Sequence, residues 1–191
     1  SSGPMQVISG PYGHERLHFE APKAATLEKE MARFIQWYND ETKLDPVLKS
    51  AISHLWFVTI HPFEDGNGRV ARALSDMQLA KSENSRQRFY SMSAQIRNER
   101  NLYYQTLENT QRSLSLDITS WLEWFLSCLN RALEDTEILI NDILNKARFW
   151  DIHTDIIFNE RQRSMLNKLL DKFEGKLTSS KWAKITKSSQ D

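Results

Sequence analysis

His61-Pro62-Phe63-Glu64-Asp65-Gly66-Asn67-Gly68-Arg69-Val70-Ala71-Arg72 decides how this chain is read. The run holds a base, a carboxylate, two glycines, an amide and two arginines. Such a loop, opening a helix, is suited to hold a polyphosphate and attack it. Gly66 and Gly68 let the backbone approach a ligand closely. A helix starting near Asn67 offers free N–H groups and the positive end of its dipole to an anion. Arg69 and Arg72 are three residues apart and share a helix face. Two like charges there repel unless an anion sits between them, and bidentate pairing with phosphate supplies one.

The roles sort by chemistry. His61 is the one group in the run that ordinarily titrates near neutrality, so it is the expected general base. Asp65 is a hard oxygen ligand that, with phosphate oxygens and water, completes a Mg²⁺ site. Asn67 is expected to donate to a phosphate oxygen. Phe63 is expected to be buried, pinning the loop, and Glu64 to face solvent. The pattern G-x-x-x-x-G-K-[ST] is absent, so the loop is not a P-loop.

The run resembles the Fic signature H-x-F-x-[DE]-G-N-G-R-x-x-R and agrees at all eight specified positions. The likeness extends over residues 6–150, similar to a bacterial Fic core, and over 160–190, similar to the start of a winged-helix segment. It implies an all-α Fic fold with a small β-hairpin flap, followed by part of a helix-turn-helix or winged-helix module. The division expected is 1–150 and 151–191, the latter a connector and partial winged helix. The resemblance also implies a protein adenylyltransferase: AMP passes from ATP, with Mg²⁺, to a hydroxyl of a target protein. The related Doc proteins carry Lys where this chain has Gly68 and transfer phosphate, so Gly68 points to nucleotidyl transfer. The alternatives are removal of AMP by the same site and a nucleotide-sensing DNA-binding regulator.

Composition sets the outer bounds. A hydrophobic content of 40% is enough for a core, and formal net charge is zero. No whole-molecule field therefore attracts nucleic acid or membrane. The charge is uneven: residues 1–159 carry 17 basic and 21 acidic side chains, and 160–191 carry 8 and 4. The single cysteine, Cys128, rules out an internal disulfide and fits a reducing cytoplasm. It lies on an apolar helical stripe, as an inert buried thiol does. There is no signal peptide or transmembrane run. The opening Ser1-Ser2-Gly3, without Met, reads as that of a fragment.

Outside the loop the chain is mostly helical. Residues 6–20 are the exception: Gln6–Ser9 and Arg16–Phe19 flank a Gly-Pro turn and read as a hairpin. In the family this hairpin is the flap, whose edge (here Arg16, Leu17, His18 and Phe19) pairs with the target's backbone as an added strand. Leu27, Met31, Phe34, Ile35 and Tyr38 mark a first helix. Asp45 caps a second that begins at Pro46 and delivers His61. His54, two turns upstream, reads as packed or solvated. Residues 67–81 continue as a helix in which Asp76 is placed to pair with Arg72. Tyr103-Tyr104 resembles the pair that flanks the adenine in the family. Tyr103 reads as core and Tyr104 as ligand contact, and Gln111 falls where the family often has an amide bonding the base. Residues 119–147 form one helix about 40 Å long, with a capping box at Ser120 and Glu123. A helix over 160–173, closed by Gly175, and a second capped by Ser179 or Ser180 carry Lys176, Lys181, Lys184 and Lys187. That basic pair implies weak DNA contact through 160–191.

Many family members are restrained by a helix bearing [ST]-x-x-x-E-[GN], whose Glu pairs with the second motif arginine, here Arg72. Glu83-Asn84, Glu108-Asn109 and Glu174-Gly175 have the ending. Leu79, Tyr104 and Leu170 occupy the place of Ser or Thr. Such a helix is absent, or precedes Ser1, or comes from a partner.

Overall fold

A computed structural model describes residues 5–40, 43–83, 88–171 and 173–186. Asn84 and Lys187 lie outside them. The described chain is all-α apart from one hairpin, as expected. In order it runs β1 (Gln6–Ser9), β2 (Arg16–Glu20), α1 (Ala24–Asp40), α2 (Pro46–Ile60), α3 (Asn67–Glu83), α4 (Met92–Asn98), α5 (Arg100–Arg112), α6 (Thr119–Ile152), α7 (Glu160–Leu170) and α8 (Ser179–Thr186).

Small residues bring α2 and α3 together, and the site hangs from their junction. Ala51, Ser50, Ala71 and Ser75 are fully or almost fully buried. The Ser50 hydroxyl meets the Ser75 hydroxyl at 2.7 Å and donates to the Ser75 carbonyl at 2.8 Å. Two helices can approach this closely only where side chains are short. Asp45 caps α2 by accepting from the N–H groups of Val47 and Leu48, with Pro46 first in the helix, as the sequence predicts. Around this pair sits an aromatic core of Phe34, Phe57, Trp121, Phe125 and Tyr103. Trp121 is fully buried, and its indole N–H donates to the Ala51 carbonyl at 2.8 Å. Burying such a ring stabilises by about 4–6 kcal/mol as an upper bound. Cys128 is buried, which pushes its thiol up to about 12, so it is inert as expected.

The chain forms two compact units, 1–133 and 134–191, with the boundary inside α6. No Gly or Pro interrupts 119–152, and the helix continues to Ile152, five residues past its expected end. Its start falls at residue 119 as expected, but the cap differs. Asp117 accepts from the Thr119 N–H at 2.9 Å, and the helix begins at Thr119, with Ser120 already inside it. In the second unit, Asn159 and Gln162 form a reciprocal capping box for α7. α7 ends at Leu170, short of its expected end at 173. The Thr178 hydroxyl, not Ser179 or Ser180, accepts from the Lys181 N–H at the start of α8.

Candidate active site

α2 ends at His61, which closes the helix with left-handed backbone at φ 52° and ψ 57°. That cap normally falls to glycine, because a Cβ crowds the next carbonyl. Pro62 further disfavours helical backbone at His61, so the chain leaves α2 in a sharp turn. The His61 N–H donates to the Phe57 carbonyl at 3.1 Å. Ring Nδ1 lies 3.2 Å from the Val58 carbonyl. A carbonyl only accepts, so Nδ1 carries the proton and donates. Nε2 is left with its lone pair, the form a general base needs.

Asn67 is buried, and its amide clamps the loop. Oδ1 accepts from the Phe63 N–H at 3.0 Å, and Nδ2 donates to the Phe63 carbonyl. The side chain expected to meet a phosphate is thus engaged with backbone and sets the loop's shape. Phe63 was expected to anchor the loop by burial. Its ring packs 6.2 Å from that of Phe57, yet it is 48% exposed. The clamp on its backbone does the anchoring. Glu64 is exposed, as expected. Gly66 takes φ 87°, and its carbonyl accepts from the N–H groups of Arg69 and Val70. α3 therefore begins at Asn67, where the sequence puts it. The N–H groups of Asn67 and Gly68 meet no acceptor among the described residues. They are the orphan donors of a helix start, the makings of an anion site. A Cβ at Gly68 would lie 3.5 Å from Arg72 Nη1, so glycine leaves the ground between these amides and that guanidinium open.

Asp65 projects into solvent. Oδ1 accepts from the Gly66 N–H at 2.6 Å and Oδ2 from Arg69 Nη2 at 2.8 Å. Among the described residues no three metal-ligating side chains converge. One exposed carboxylate fits an ion held chiefly by phosphate oxygens and water, and does not make a protein cage.

Arg72 is half-buried and has no ion pair or hydrogen bond among the described residues. Asp76, its expected partner, instead accepts from Arg88 Nη1 at 3.1 Å. Arg69 and Arg72 line a cavity of about 500 Å³ together with Asp76, Ile96, Arg97, Arg100 and Tyr104. His61, Asp65, Gly66, Asn67 and Gly68 are not in its lining. Arg97 and Arg100 went unread as site residues in the sequence. Their i, i+3 spacing repeats that of Arg69 and Arg72 and was the available signal.

Tyr103 also lines the cavity, although it is buried, and its hydroxyl meets His54 Nε2 at 3.1 Å. His54 is fully enclosed, with its ring 5.4 Å from Trp121. Burial, and then the Arg72 charge, push it down to about 3, so it is neutral. Tyr104 faces the cavity, half exposed, with the Arg100 guanidinium 5.6 Å over its ring. Gln111 does not join Tyr104 there, because its Nε2 donates to the Thr59 hydroxyl at 3.0 Å.

The hairpin docks on α5. Val7 pairs with Phe19 and Ile8 with Leu17, which leaves His18 as the bulged residue. A bulge re-aims a side chain, and His18 Nδ1 reaches Glu108 Oε2 at 2.8 Å. Arg16 and Arg112 meet the other oxygen at 3.0 and 2.9 Å. The Arg112 guanidinium also donates to the Leu17 carbonyl at 2.8 Å. The His18 hydrogen bond, then Arg16 and Arg112, hold the Glu108 carboxyl below the usual range.

A sequence model described as the Fic/DOC family matches residues 4–79. The chain is 32% identical over 115 residues to a protein adenylyltransferase Fic of Nematostella vectensis, covering 59% of this chain and 25% of that protein. It is 41% identical over 56 residues to protein adenylyltransferase fic-1 of Caenorhabditis briggsae, covering 28% of this chain and 11% of that protein. The chain thus spans a quarter or less of the length of these curated relatives. Among solved structures, a Fic family protein from Desulfovibrio desulfuricans G20 superposes with a TM-score of 0.56 at 23% identity. That match covers 99% of this chain and 50% of that one. The signature loop lies within the matched segment, so residues 4–79 are similar to the Fic/DOC family, and the helical frame is similar to that of the solved Fic protein.

Proposed function

We propose that the chain is a protein adenylyltransferase that moves AMP from ATP to a Ser, Thr or Tyr hydroxyl of a target protein. The carrying observation is the pairing of a His61 whose Nε2 is free with unfilled amides at the start of α3. ATP lies along the loop. The N–H groups of Asn67 and Gly68, with Arg69 and Arg72, hold its phosphates. His61 Nε2 takes the proton as the acceptor oxygen bonds to the α-phosphorus. The bond from that phosphorus to the bridging oxygen breaks, and pyrophosphate leaves. Asp65 would hold Mg²⁺ together with the phosphates, and the ion would neutralise charge on the leaving group. Of the two residues expected at the adenine, Gln111 would have to exchange Thr59 for the base, while Tyr104 faces the arginine-lined cavity. The β2 edge offers the target a strand partner. The names of the curated relatives support this activity.

No described helix is long and apolar enough to cross a membrane. The reduced, buried Cys128 is consistent with a cytoplasmic site of action. α7 and α8 are read as the opening of a winged-helix module. A restraining helix, from before Ser1 or from a partner, would act by pairing Arg72.

ATP labelled on the α- or γ-phosphate, incubated with the protein and a lysate, tests the reading. The α label should transfer and the γ label should not. His61→Ala should cut transfer by roughly 10²–10⁴-fold while ATP still binds. Transfer of the γ label, or wild-type transfer by His61→Ala, would sink it.

A further inference from the structure

The loop motif accounts for only half of the positive charge around the cavity. Arg69 and Arg72 come from α3, Arg97 closes α4 and Arg100 opens α5. The neighbouring carboxylates are already engaged. Asp76 takes Arg88 at 3.1 Å, and Asp65 takes Arg69 at 2.8 Å. Glu99 stands between Arg97 and Arg100 in sequence, yet both its oxygens go to Arg131, at 2.6 and 2.5 Å. Arg72, Arg97 and Arg100 therefore have no ion pair or hydrogen bond among the described residues. Arg100 only stacks on Tyr104. Three guanidiniums facing one cavity repel each other. An anion with several charges and pairs of oxygens removes that repulsion, because each planar fork takes two oxygens.

On the transferase reading, the α-phosphate must sit at His61 and the amides of Asn67 and Gly68. None of these lines the cavity, whereas Arg69 and Arg72 belong to both places. A chain of phosphates starting at the loop runs past those two arginines and ends in the cavity. We infer that Arg97 and Arg100 bind the terminal phosphates of the nucleoside triphosphate and hold the pyrophosphate as it leaves. When the bond to the α-phosphorus breaks, negative charge builds on that pyrophosphate, beside groups already oriented to receive it. The pair thereby selects triphosphates over monophosphates.

Calorimetric titration of wild type, Arg97→Gln, Arg100→Gln and the double variant with ATP, AMP and inorganic pyrophosphate tests this. Both side chains are exposed, so their loss leaves the fold intact, and AMP affinity serves as the internal control. The double variant should bind ATP and pyrophosphate more weakly by roughly 10- to 100-fold, with AMP unchanged. Arg→Lys at both positions should recover part of the loss. Equal losses for ATP and AMP, or no loss, would overturn the inference and leave the transferase reading standing. Wild-type protein that binds pyrophosphate through these arginines yet transfers no AMP would support the inference and sink that reading. A wild type that binds neither ATP nor pyrophosphate would overturn both.

Discussion

His54 and His61 lie on one helix two turns apart, and their surroundings give them opposite chemistry. His61 keeps an available lone pair because a main-chain carbonyl fixes its tautomer. His54 is sealed among Tyr103, Trp121 and Phe125, and its Nδ1 has no hydrogen-bond partner among the described residues. Burial lowers its pKa from 6.5 to about 3 in the fold. Between those values the unfolded chain binds the proton and the folded chain does not, so stability rises with pH there. His54 should therefore contribute a loss of about 1.4 kcal/mol between pH 7.5 and 5.5. Urea unfolding at the two pH values should show that loss in wild type and its absence in His54→Phe. Equal losses in both proteins would mean that His54 is not the buried neutral group. That His54 would be packed or solvated was legible. The sealing was not, because Tyr103, Trp121 and Phe125 arrive from distant sequence. Asn67 taught the same lesson in reverse: its chemistry suits a phosphate, but local geometry turned it onto Phe63.

The hairpin and α5 depend on one carboxylate. Strand positions and turn were readable from the turn-rich run that begins at Gly10, where φ is 112° and a Cβ would lie 2.6 Å from the His14 carbonyl oxygen. The bulge at His18 was not readable, because register follows from pairing and from what the strand packs on. Glu108 was singled out only for a motif it fails to complete, yet it gathers Arg16, His18 and Arg112. Single exposed pairs contribute little, but these share one acceptor and hold an element that has few other tethers. Glu108→Ala should loosen residues 6–20 and leave the helices unchanged. Hydrogen exchange should show faster uptake confined to that segment, with global stability close to that of wild type. Unchanged protection of 6–20 would show that packing alone holds the hairpin. The lowered Glu108 carboxyl means that the latch is present at neutral pH and lost as pH falls through its folded pKa.

At the scale of the whole chain, what the charge says depends on where the chain is divided. Cut at residue 159, the sequence separates an acidic body from a basic tail of 8 cations and 4 anions. The structure divides it at 133, inside a helix whose continuity hides the boundary from composition. The unit 134–191 then holds 10 basic and 10 acidic side chains, because the second half of α6 is acid-rich. One such cancellation is direct, Lys146 to Asp171 at 2.7 Å. A neutral unit gives a phosphate backbone little net field, and only a few lysines of α8 and the turn before it remain for contact. Binding to random duplex at physiological salt should be no tighter than roughly 10⁻⁴–10⁻⁶ M, with a shallow salt dependence. Fluorescence anisotropy against a pool of duplex sequences measures this. Selection of one sequence bound far more tightly than the pool would favour the regulator alternative. Weak binding without preference, weakening further as salt rises, is what a neutral unit with a few exposed lysines should give, and it leaves the proposed nucleotide site as the leading reading of the chain.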